Sequence, residues 1–364
     1  MGTIYDYKCP ACGGAIEFDS ETQNMKCPYC DTEIDIASVA KDVKDGAVER
    51  KDDEYSSFES EGTNEWQDGE TDNMKVYVCD SCGGEIIADD TTGAAQCPFC
   101  GSKLVIKEQF SGDLRPDYII PFKISKQEAK AKYHEHLKGK PFLPKIFKSE
   151  NHIDEMKGIY VPFWLFDADA DADVTYSAER VRHWTTGNKR YTEVKKYRIE
   201  REGSMEFSNI PSDSSTKIDN VLTESIEPFD FSQAVPFNPA YLAGYAADRY
   251  DVEKEDCLKR LSDRIKRSSE DYLRETVTGD YGIVTCQHSK VDIKNGKYKY
   301  VLYPVWILNP RWRDKKYVFA LNGQTGKTVG DLPADMGAYW RFVGAATAIA
   351  SAVIFGVTML LQLL

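Results

Sequence analysis

Eight cysteines in the first hundred residues have the types and spacing of two metal sites. They form four Cys-x-x-Cys pairs, and within each site fourteen residues separate one pair from the next. The second site repeats the first at an offset of seventy residues. Two such pairs can place four thiolates at the corners of a tetrahedron around one Zn²⁺. We therefore predict two structural zinc sites, the first with the ligands Cys9, Cys12, Cys27 and Cys30, and the second with Cys79, Cys82, Cys97 and Cys100.

The residues around the cysteines fit zinc knuckles, in which the backbone turns sharply so that both sulfurs face the metal. Gly13-Gly14 and Gly83-Gly84 follow the second ligand of each set, where a positive φ is expected. Short apolar-polar alternations between the knuckles predict hairpin strands. A segment of about thirty residues cannot bury enough apolar surface to fold unaided, so the sequence predicts Zn²⁺ as the folding cofactor of both segments.

Disulfides, redox-active dithiols and chance are the competing explanations of the cysteine pattern. The N-terminal residues show no apolar signal segment, which predicts a reducing compartment and disfavours disulfides. Redox Cys-x-x-Cys pairs normally occur singly at a strand-to-helix junction. Four thiolates leave no open position for a catalytic water. The two remaining cysteines, Cys257 and Cys286, have no partner at metal spacing and are predicted to be buried thiols.

The elements that must position these sites are predicted to belong to an α+β protein. It comprises two small N-terminal zinc ribbons, a mostly antiparallel β middle domain with two helices, and one C-terminal transmembrane helix. The predicted segments are zinc ribbon 1 (residues 1–38), an acidic flexible linker (39–74), zinc ribbon 2 (75–110), the middle domain (111–335) and the transmembrane helix (339–364).

The charge distribution argues against nucleic-acid binding by the zinc ribbons. Residues 1–40 hold seven acidic and two basic residues, residues 41–75 twelve and five, and residues 76–110 five and two. Phosphate binding needs clustered Lys and Arg, and both ribbons lack the expected basic excess. We expect the ribbons to be platforms for protein contacts.

Two helices are predicted in the middle domain. The first begins at Ser125 with a capping-box pattern and ends near Gly139. The second runs from about Asp251 to Val277, with apolar residues on one helical face. A strand with the pattern Pro-x-Trp follows each helix, at Pro162 to Trp164 and at Pro304 to Trp306, which suggests an internal duplication.

Two stretches of the middle domain resemble chemical sites. Asp167 to Asp173 alternates Asp with Ala, so a strand would present four carboxylates on one face. A cation site is one interpretation; the favoured one is ion pairing with basic residues of the next strand, Lys195 to Arg201, across a turn near Gly187-Asn188. The stretch from Asn322 to Thr328 lacks the first glycine of a phosphate-binding loop and is predicted to be a hairpin turn. We predict no catalytic residues, although an enzyme without a local motif stays an alternative.

The C-terminal end predicts a membrane anchor. Phe342 to Leu364 is a run of twenty-three residues without a charge, which as a helix would span about 35 Å. Tyr339, Trp340 and Arg341 precede it, as expected at a cytoplasmic membrane interface. The N-terminal bulk of the chain is therefore predicted to lie in the cytoplasm. Small residues four apart form a stripe where another membrane helix could approach, or they reflect the alanine content alone: Gly344, Ala348, Ala352 and Gly356.

Several motifs together resemble one bacterial family. The motifs are YKCPACGGAIEFD and MKCPYCDTE, the repeat CDSCGGEIIADDTTGAAQCPFCG, and the later IIPFKI, YVPFWLFDADADAD, SIEPFDFS and NGQTGKTVGDLP. They are similar to the transcription-factor-IIB-type double zinc-ribbon membrane proteins of Firmicutes, which often carry helicase or replication labels. The resemblance covers nearly the whole chain. It implies a zinc-binding membrane protein and, as protein partners at the membrane, phage-shock-protein-A-like or flotillin-like (SPFH) proteins of membrane-stress systems.

These observations favour a non-enzymatic, membrane-anchored cytoplasmic scaffold or adaptor that mediates protein contacts. The alternative is a nucleic-acid-binding zinc-ribbon protein tethered at the membrane for replication or transcription. A basic patch on the folded surface would favour the alternative.

Overall fold

The structure is a computed structural model of the chain. It describes residues 9–12, 14–36, 58–60, 62, 65–66, 70–71, 74–89, 96–109, 114–279, 281–313 and 315–363. The predicted fold class is confirmed, since four-cysteine groups at the N-terminal end precede a mostly antiparallel β domain and an apolar C-terminal helix.

Two sheets and one small hairpin contain the strands. Ribbon 1 has its own antiparallel sheet of β1 (Glu17–Asp19), β2 (Asn24–Lys26) and β3 (Glu33–Ile34). The strands of the second sheet are β4 (Phe58–Ser60), β5 (Met74–Val78), β6 (Glu85–Asp89), β7 (Val105–Gln109), β8 (Tyr118–Ile119), β9 (Lys157–Thr186), β10 (Lys189–Asp213), β11 (Val235–Pro236), β12 (Ala246–Asp248), β13 (Ile283–Leu308), β16 (Phe319–Asn322) and β17 (Thr328–Gly330). These twelve strands have the order β11-β8-β13-β9-β12-β6-β5-β7, with β10 beside β9, and with β4 and the β16-β17 hairpin beside β13. The separate hairpin is β14 (Arg311–Trp312) with β15 (Lys315–Lys316).

Three very long antiparallel strands form the frame of the molecule. β9, β10 and β13 contain 30, 25 and 26 residues. At about 3.3 Å per residue, β9 is roughly 100 Å long. Its first third is apolar and buried on both faces, because Tyr160 and Trp164 face one core cluster while Val161 and Phe163 face another. This part of the sequence is a continuous apolar run, as expected for a strand covered on both sides.

The helices are α1 (Lys126–Leu137), α2 (Glu150–Ile153), α3 (Asn220–Ile226), α4 (Lys254–Glu275) and α5 (Met336–Leu363). The predicted capping box at the start of α1 is confirmed: Glu128 N donates to Ser125 Oγ at 3.3 Å, and Ser125 N donates to the Glu128 carboxylate at 2.9 Å. The predicted second helix corresponds to α4. The short helices α2 and α3 were not predicted, since a single turn or two carries little periodicity.

Helix α4 covers one face of the long strands. Its buried residues recur every four positions, so they form one stripe: Cys257, Leu261, Ile265, Ser269 and Leu273. Leu273 packs in a cluster with Ala172, Val174 and Tyr176 of β9. Burial of each large apolar side chain contributes about 1.5–3 kcal/mol, and this stripe accordingly fixes α4 to the sheet.

Part of the predicted flexible linker is built into the body. β4 pairs in parallel with β13, and Trp66 packs edge-on against Phe237. The carboxylate of Glu70 accepts two hydrogen bonds from the buried guanidinium of Arg115, at 2.8 and 2.9 Å. The prediction of a tether therefore does not hold for these residues, because Phe58 and Trp66 pack against aromatic rings of the body. Residues 39–57 of the predicted linker lie outside the described residues.

The predicted hairpin turn over Asn322 to Thr328 is confirmed. Phe319–Asn322 pairs with Thr328–Gly330, and Gly326 at the turn has a φ of 76°. Asn322 Oδ1 accepts hydrogen bonds from the next turn residues, Gln324 N and Thr325 N, at 2.9 Å each. The prediction for the two other cysteines is half right: Cys257 is buried, but Cys286 is exposed on the outer part of β13.

Candidate metal centres and the surfaces around them

Each predicted set of four cysteines converges in space. The sulfurs of Cys9, Cys12, Cys27 and Cys30 all lie within 4.8 Å of one another, and so do those of Cys79, Cys82, Cys97 and Cys100. The shortest sulfur–sulfur separations in the two groups are 3.5 Å and 3.3 Å. Four sulfurs at 2.3 Å from a tetrahedral metal would be about 3.8 Å apart, so both groups could hold a metal ion with little movement.

The backbone turns that aim the sulfurs are the same in both ribbons. Cys9 N donates to Gly14 O at 2.7 Å, and the matched Cys79 N donates to Gly84 O at 2.9 Å. In the second knuckles, Asp31 N and Gly101 N return to the carbonyl of the leading cysteine at 2.9 Å each. The φ values there are 55° for Asp31 and 72° for Gly101, so both ribbons place a left-handed residue after the last ligand.

The four thiols of each group could not all ionise without a cation between them. Burial opposes ionisation of Cys9, but hydrogen bonds from the Ala11 and Cys12 backbone outweigh it and lower its pKa to about 6. In the same group the Gly14 N–H favours the Cys12 thiolate, yet the neighbouring Cys27 and Cys30 raise the Cys12 pKa to about 12. Adjacent thiolates repel each other, and a bound divalent cation would remove that repulsion and take all four as ligands.

Ribbon 1 contacts the body through its hairpin. Phe18 packs edge-on against Tyr241 with ring centroids 5.1 Å apart, and its backbone N donates to Ala243 O at 3.0 Å. Gln23 at the hairpin turn donates to Phe122 O at 2.8 Å. Its second knuckle points away from this contact, since the three residues after the buried Cys27 are all exposed.

Ribbon 2 contacts the body through its second knuckle. Three backbone carbonyls of that knuckle accept hydrogen bonds from side chains more than two hundred residues away. Asn309 donates to Pro98 O, Arg311 donates to Cys100 O at 3.1 Å, and Lys316 donates to Phe99 O at 2.9 Å. The hairpin of ribbon 2 is also fixed, because β6 pairs with β12 of the large sheet.

One aromatic side chain distinguishes the two knuckles, and the cysteine pattern alone did not single it out. Tyr29 and Phe99 are matched positions at the offset of seventy, and each ring lies over the glycine after the first knuckle, Gly14 or Gly84. Tyr29 is 75% exposed, whereas Phe99 is 6% exposed against the body. The signal was present in the sequence as Cys-Pro-aromatic-Cys in both repeats, but only the structure shows which copy is covered.

The comparisons with known proteins find a relative of the whole chain. The uncharacterized protein YdjG of Bacillus subtilis (strain 168) is 32% identical over 334 residues, which is 92% of each chain. The chain belongs to the YdjG family. Because the match extends well beyond the ribbons, the likeness to YdjG includes most of the middle domain as well. No protein-family model matches the chain, and no solved structure matches it.

The comparisons therefore show membership of the YdjG family, whereas the resemblance to transcription-factor-IIB-type proteins rests on the sequence motifs, without a matching family model. The two four-cysteine groups could hold metal ions and are compatible with zinc ribbons, since four thiolates are a common ligand set of structural Zn²⁺.

The acidic stretch of β9 pairs with β10 as predicted, but the prediction that Lys195 to Arg201 neutralise its carboxylates is wrong. The cross-strand neighbours of Asp169 and Asp173 on β10 are Glu206 and Glu202, not basic residues. Lys294 of β13 instead donates to Asp171 at 2.7 Å and Lys299 to Asp167 at 2.8 Å. Hydrogen bonds from Lys294, and from Ser204, hold the pKa of Asp171 below its ordinary value. The predicted turn at Gly187-Asn188 is confirmed, since β9 ends and β10 begins on either side of it.

Two buried carboxylates connect the end of β10 to β12. Burial raises the pKa of Asp213 to about 6 and raises that of Asp248 well above its ordinary value. Asp213 accepts hydrogen bonds from Ser215 N and Thr223 Oγ1 at 2.9 Å each, and Ser215 Oγ donates to Asp248 at 2.5 Å. These bonds lie within the chain and join neighbouring elements, which assigns the carboxylates a structural role.

A second charged surface lies at the far end of the long strands and was not predicted. We call residues 180–198 the β-arm; they form a two-stranded hairpin beyond the end of α4. The β-arm contains seven Lys or Arg residues and one Glu. Trp184 and Tyr191 stack on one face with ring centroids 5.5 Å apart and are each nearly half exposed. Arg180 lies on the same face, over the rings of Tyr197 and Tyr281.

The C-terminal helix α5 is long and apolar enough to cross a membrane. The most apolar eighteen-residue stretch within Met336–Met359 has a mean hydropathy of 2.0, and no part of that stretch is buried against the body. The helix begins six residues before the uncharged run, and Phe142 packs edge-on against Tyr339 and Phe342 at its start. The stripe of small residues predicted to approach another helix is exposed: Gly344, Ala348, Ala352 and Gly356.

Proposed function

We propose that this chain is a membrane-anchored adaptor stabilised by two structural Zn²⁺ ions, with α5 in the membrane and the rest in the cytoplasm. In this proposal the chain has no catalytic role, and its task is to hold a protein partner at the membrane surface.

The observation that carries the proposal is the contrast between matched knuckles. In ribbon 2, Pro98, Phe99 and Cys100 are buried against the body, and their carbonyls accept hydrogen bonds from Asn, Arg and Lys side chains. The matched residues of ribbon 1, Tyr29 among them, have the same turn and are exposed. The intramolecular contact therefore indicates what the free knuckle would bind: a protein surface with an apolar recess and basic side chains around it.

The charge of ribbon 1 supports a partner of that kind. Residues 1–40 contain seven acidic and two basic residues, so long-range attraction would favour a basic surface. Aromatic side chains that project from a rigid turn are common anchors of protein interfaces. The family resemblance makes phage-shock-protein-A-like and flotillin-like proteins the first partners to test.

A photo-crosslinking amino acid at position 29 tests the proposal in native membranes. We expect adducts between the chain and a second protein. The same amino acid at the matched position 99 is the control, and it should crosslink within the chain because that knuckle is covered. Position 29 yielding nucleic acid alone, or yielding only the free chain, would overturn the adaptor proposal.

A second candidate function is favoured by the β-arm. Its clustered cations with aromatic rings on one face are suited to nucleic-acid phosphates and bases. The basic surface of this second candidate belongs to the middle domain. The alternative suggested by the sequence instead places nucleic-acid binding on the zinc ribbons.

Salt-dependent binding separates the two functions. The test variant changes Arg182, Lys189 and Arg190 to Gln, and its control, the α4 control variant, changes the exposed Lys259, Lys266 and Arg267 to Gln. If the β-arm binds nucleic acid, the arm variant lowers the slope of log affinity against log salt by about 0.7–0.9 for each phosphate that it no longer neutralises, and the control does not. Equal slopes for all three proteins would remove this candidate.

A further inference from the structure

A groove at the C-terminal end of α1 has a cationic lining. It has a volume of about 460 Å³ and is lined by His134, Leu137, Lys138, Gly139, Lys140, Pro141 and Lys148. Three of these residues are lysines and none is acidic. Glu150 approaches the groove only through His134, whose Nε2 lies 3.5 Å from Glu150 Oε1.

The three lysines are not neutralised within the part of the chain that the structure describes. Lys130 nearby is paired with Asp154 at 2.5 Å, but no ion pair joins Lys138, Lys140 or Lys148 to a described acidic residue. The pKa of His136 is lowered first by burial and then by the positive charge of Lys140. The groove is thus a concentration of positive charge with room for a ligand.

The groove lies beside the start of the membrane helix. Pro141, which lines it, precedes Phe142, whose ring packs against Tyr339 at 5.2 Å and Phe342 at 5.5 Å. Asp335 N, just before α5, donates to Phe142 O at 2.7 Å. Phe342 opens the uncharged run and so marks the edge of the hydrocarbon layer, next to which the headgroup layer is about 5–8 Å thick. With α5 inserted, the groove lies at the depth of the lipid headgroups.

Helix stability explains only one of the lysines. A cation near a helix C-terminus is favourable because of the helix dipole, and Lys138 is the C-cap residue of α1. Lys140 lies beyond the helix, and Lys148 is at the end of the 3-10 helix Lys145–Lys148. Their convergence on one groove needs another explanation.

We propose that this groove binds the phosphate of an anionic phospholipid headgroup in the leaflet that α5 enters. The proposal rests on the membrane anchoring proposed above. Lysine ammonium groups donate to phosphate oxygens, and basic residues beside a membrane helix are attracted to anionic lipids. A bound headgroup would hold the α1 end of the body against the membrane and so restrict how the adaptor tilts around α5.

Native mass spectrometry of the full-length chain tests the site. The protein is purified in a neutral detergent and given equal amounts of phosphatidylglycerol and phosphatidylcholine in mixed micelles. We expect wild-type protein to retain phosphatidylglycerol at least about 10-fold over phosphatidylcholine. Changing Lys138, Lys140 and Lys148 together to Gln should weaken retention of phosphatidylglycerol by about 10- to 100-fold. The α4 control variant, which removes the same number of exposed charges from a helix that packs on β9, β10 and β13, should retain it like wild type.

Two further arms keep the result interpretable. The triple change of the same lysines to Arg preserves the charge and should restore retention, which separates weakened binding from damaged folding. Soluble glycerol phosphate distinguishes the lipid from a free phosphate, and it should not displace phosphatidylglycerol at matched concentration. Equal retention by wild type and the Gln variant, equal retention of the two lipids, or displacement by glycerol phosphate would overturn the proposal.

A separate experiment tests whether α5 anchors the chain in the membrane. Carbonate extraction of cell membranes reports whether α5 is inserted, whatever lipid the groove prefers. Protein that is extracted by carbonate but still selects phosphatidylglycerol would overturn the anchoring and leave the groove as an anionic-headgroup site. Protein that stays in the membrane without that selectivity would overturn the groove alone.

Discussion

The two four-cysteine ribbons have the same ligand spacing and the same knuckle turns, yet the second knuckle is buried against the body in ribbon 2 and exposed in ribbon 1. Ribbon 1 uses its hairpin, through Phe18 and Gln23, and leaves its second knuckle exposed. Ribbon 2 uses its second knuckle and pairs its hairpin with β12. A duplicated module has thus been used once as a structural part and once as a projecting surface.

This difference teaches that the cysteine spacing and the knuckle turn do not decide whether a ribbon is buried, since the same turn occurs once in a covered and once in an exposed setting. Cys97 and Cys100 are buried with the residues between them, whereas Cys30 is exposed beside Tyr29. The ligands and the turn are the common part, and the aromatic residue between the second pair of cysteines is where the two ribbons diverge.

The largest expected difference follows from removing one ligand in each ribbon. Cys97→Ser should remove the metal of ribbon 2 and, with it, the cooperative unfolding of the body. Structural Zn²⁺ contributes about 10–16 kcal/mol in small zinc modules, while whole domains are stable by only about 5–15 kcal/mol. Thermal unfolding of the full chain in detergent, followed by tryptophan fluorescence alongside metal content, measures the effect.

The matched change in ribbon 1 is the control for that experiment. Cys27→Ser should also cost one metal per chain, but the body should still unfold cooperatively, because the second knuckle of ribbon 1 is exposed whereas that of ribbon 2 is buried against the body. Equal losses of body stability in the two variants would show that the ribbons are not divided in the way described above.

Features of the fold that depend on residues close together in the sequence could be predicted, and features that depend on distant residues could not. The cysteine groups, α1 with its capping box, α4 and α5 follow from local patterns within a few dozen residues. The pairing of β13 with β9 does not, since Lys294 reaches Asp171 across 123 positions. The prediction chose the basic residues nearest in sequence, Lys195 to Arg201, because nothing in a single sequence ranks a distant basic strand above a near one.

The covered knuckle could not be predicted for the same reason. Its partners Asn309, Arg311 and Lys316 lie more than two hundred residues beyond it, in stretches with no motif of their own. The two ribbons have the same cysteine spacing, so the sequence does not indicate which second knuckle is buried against the body. The β-arm was missed because its basic residues from Lys195 onwards were interpreted as partners of the acidic stretch and not as a surface of their own.

The next largest effect on stability is expected from removing the aromatic side chain of the covered second knuckle in ribbon 2. Phe99→Ala should lower the free energy of unfolding by about 3–5 kcal/mol, because Phe99 is 6% exposed and fills a space between the ribbon and the body. Both metals should still bind, since no ligand is changed. Chemical denaturation of the metal-loaded chain gives the value, and a loss below about 1 kcal/mol would mean that the knuckle is not a structural contact.

A smaller effect is expected from one donor of that contact. Arg311→Ala removes the hydrogen bond to Cys100 O, and a bond from a charged donor is worth about 1.5–3 kcal/mol when its partner is left buried. The control is Arg313→Ala in the same hairpin, whose contact to Asp335 is 3.5 Å and exposed; it should cost less than about 1 kcal/mol. Hydrogen exchange of residues 97–101 should rise in the first variant only, and a rise in both or in neither would contradict the role given to Arg311.

The smallest effect on stability, and the largest on function, is expected at Tyr29. Tyr29→Ala should change the free energy of unfolding by less than about 0.5 kcal/mol, because the side chain is 75% exposed and lies over Gly14 of its own ribbon. Metal content should stay at the wild-type value. Recovery of the partner protein from native membranes should nevertheless fall at least about 10-fold, since an interface anchor typically contributes about 2 kcal/mol or more. Unchanged recovery with unchanged stability would mean that the exposed knuckle of ribbon 1 is only a surface, and the contrast with Phe99 would then describe how the chain folds and not what it binds.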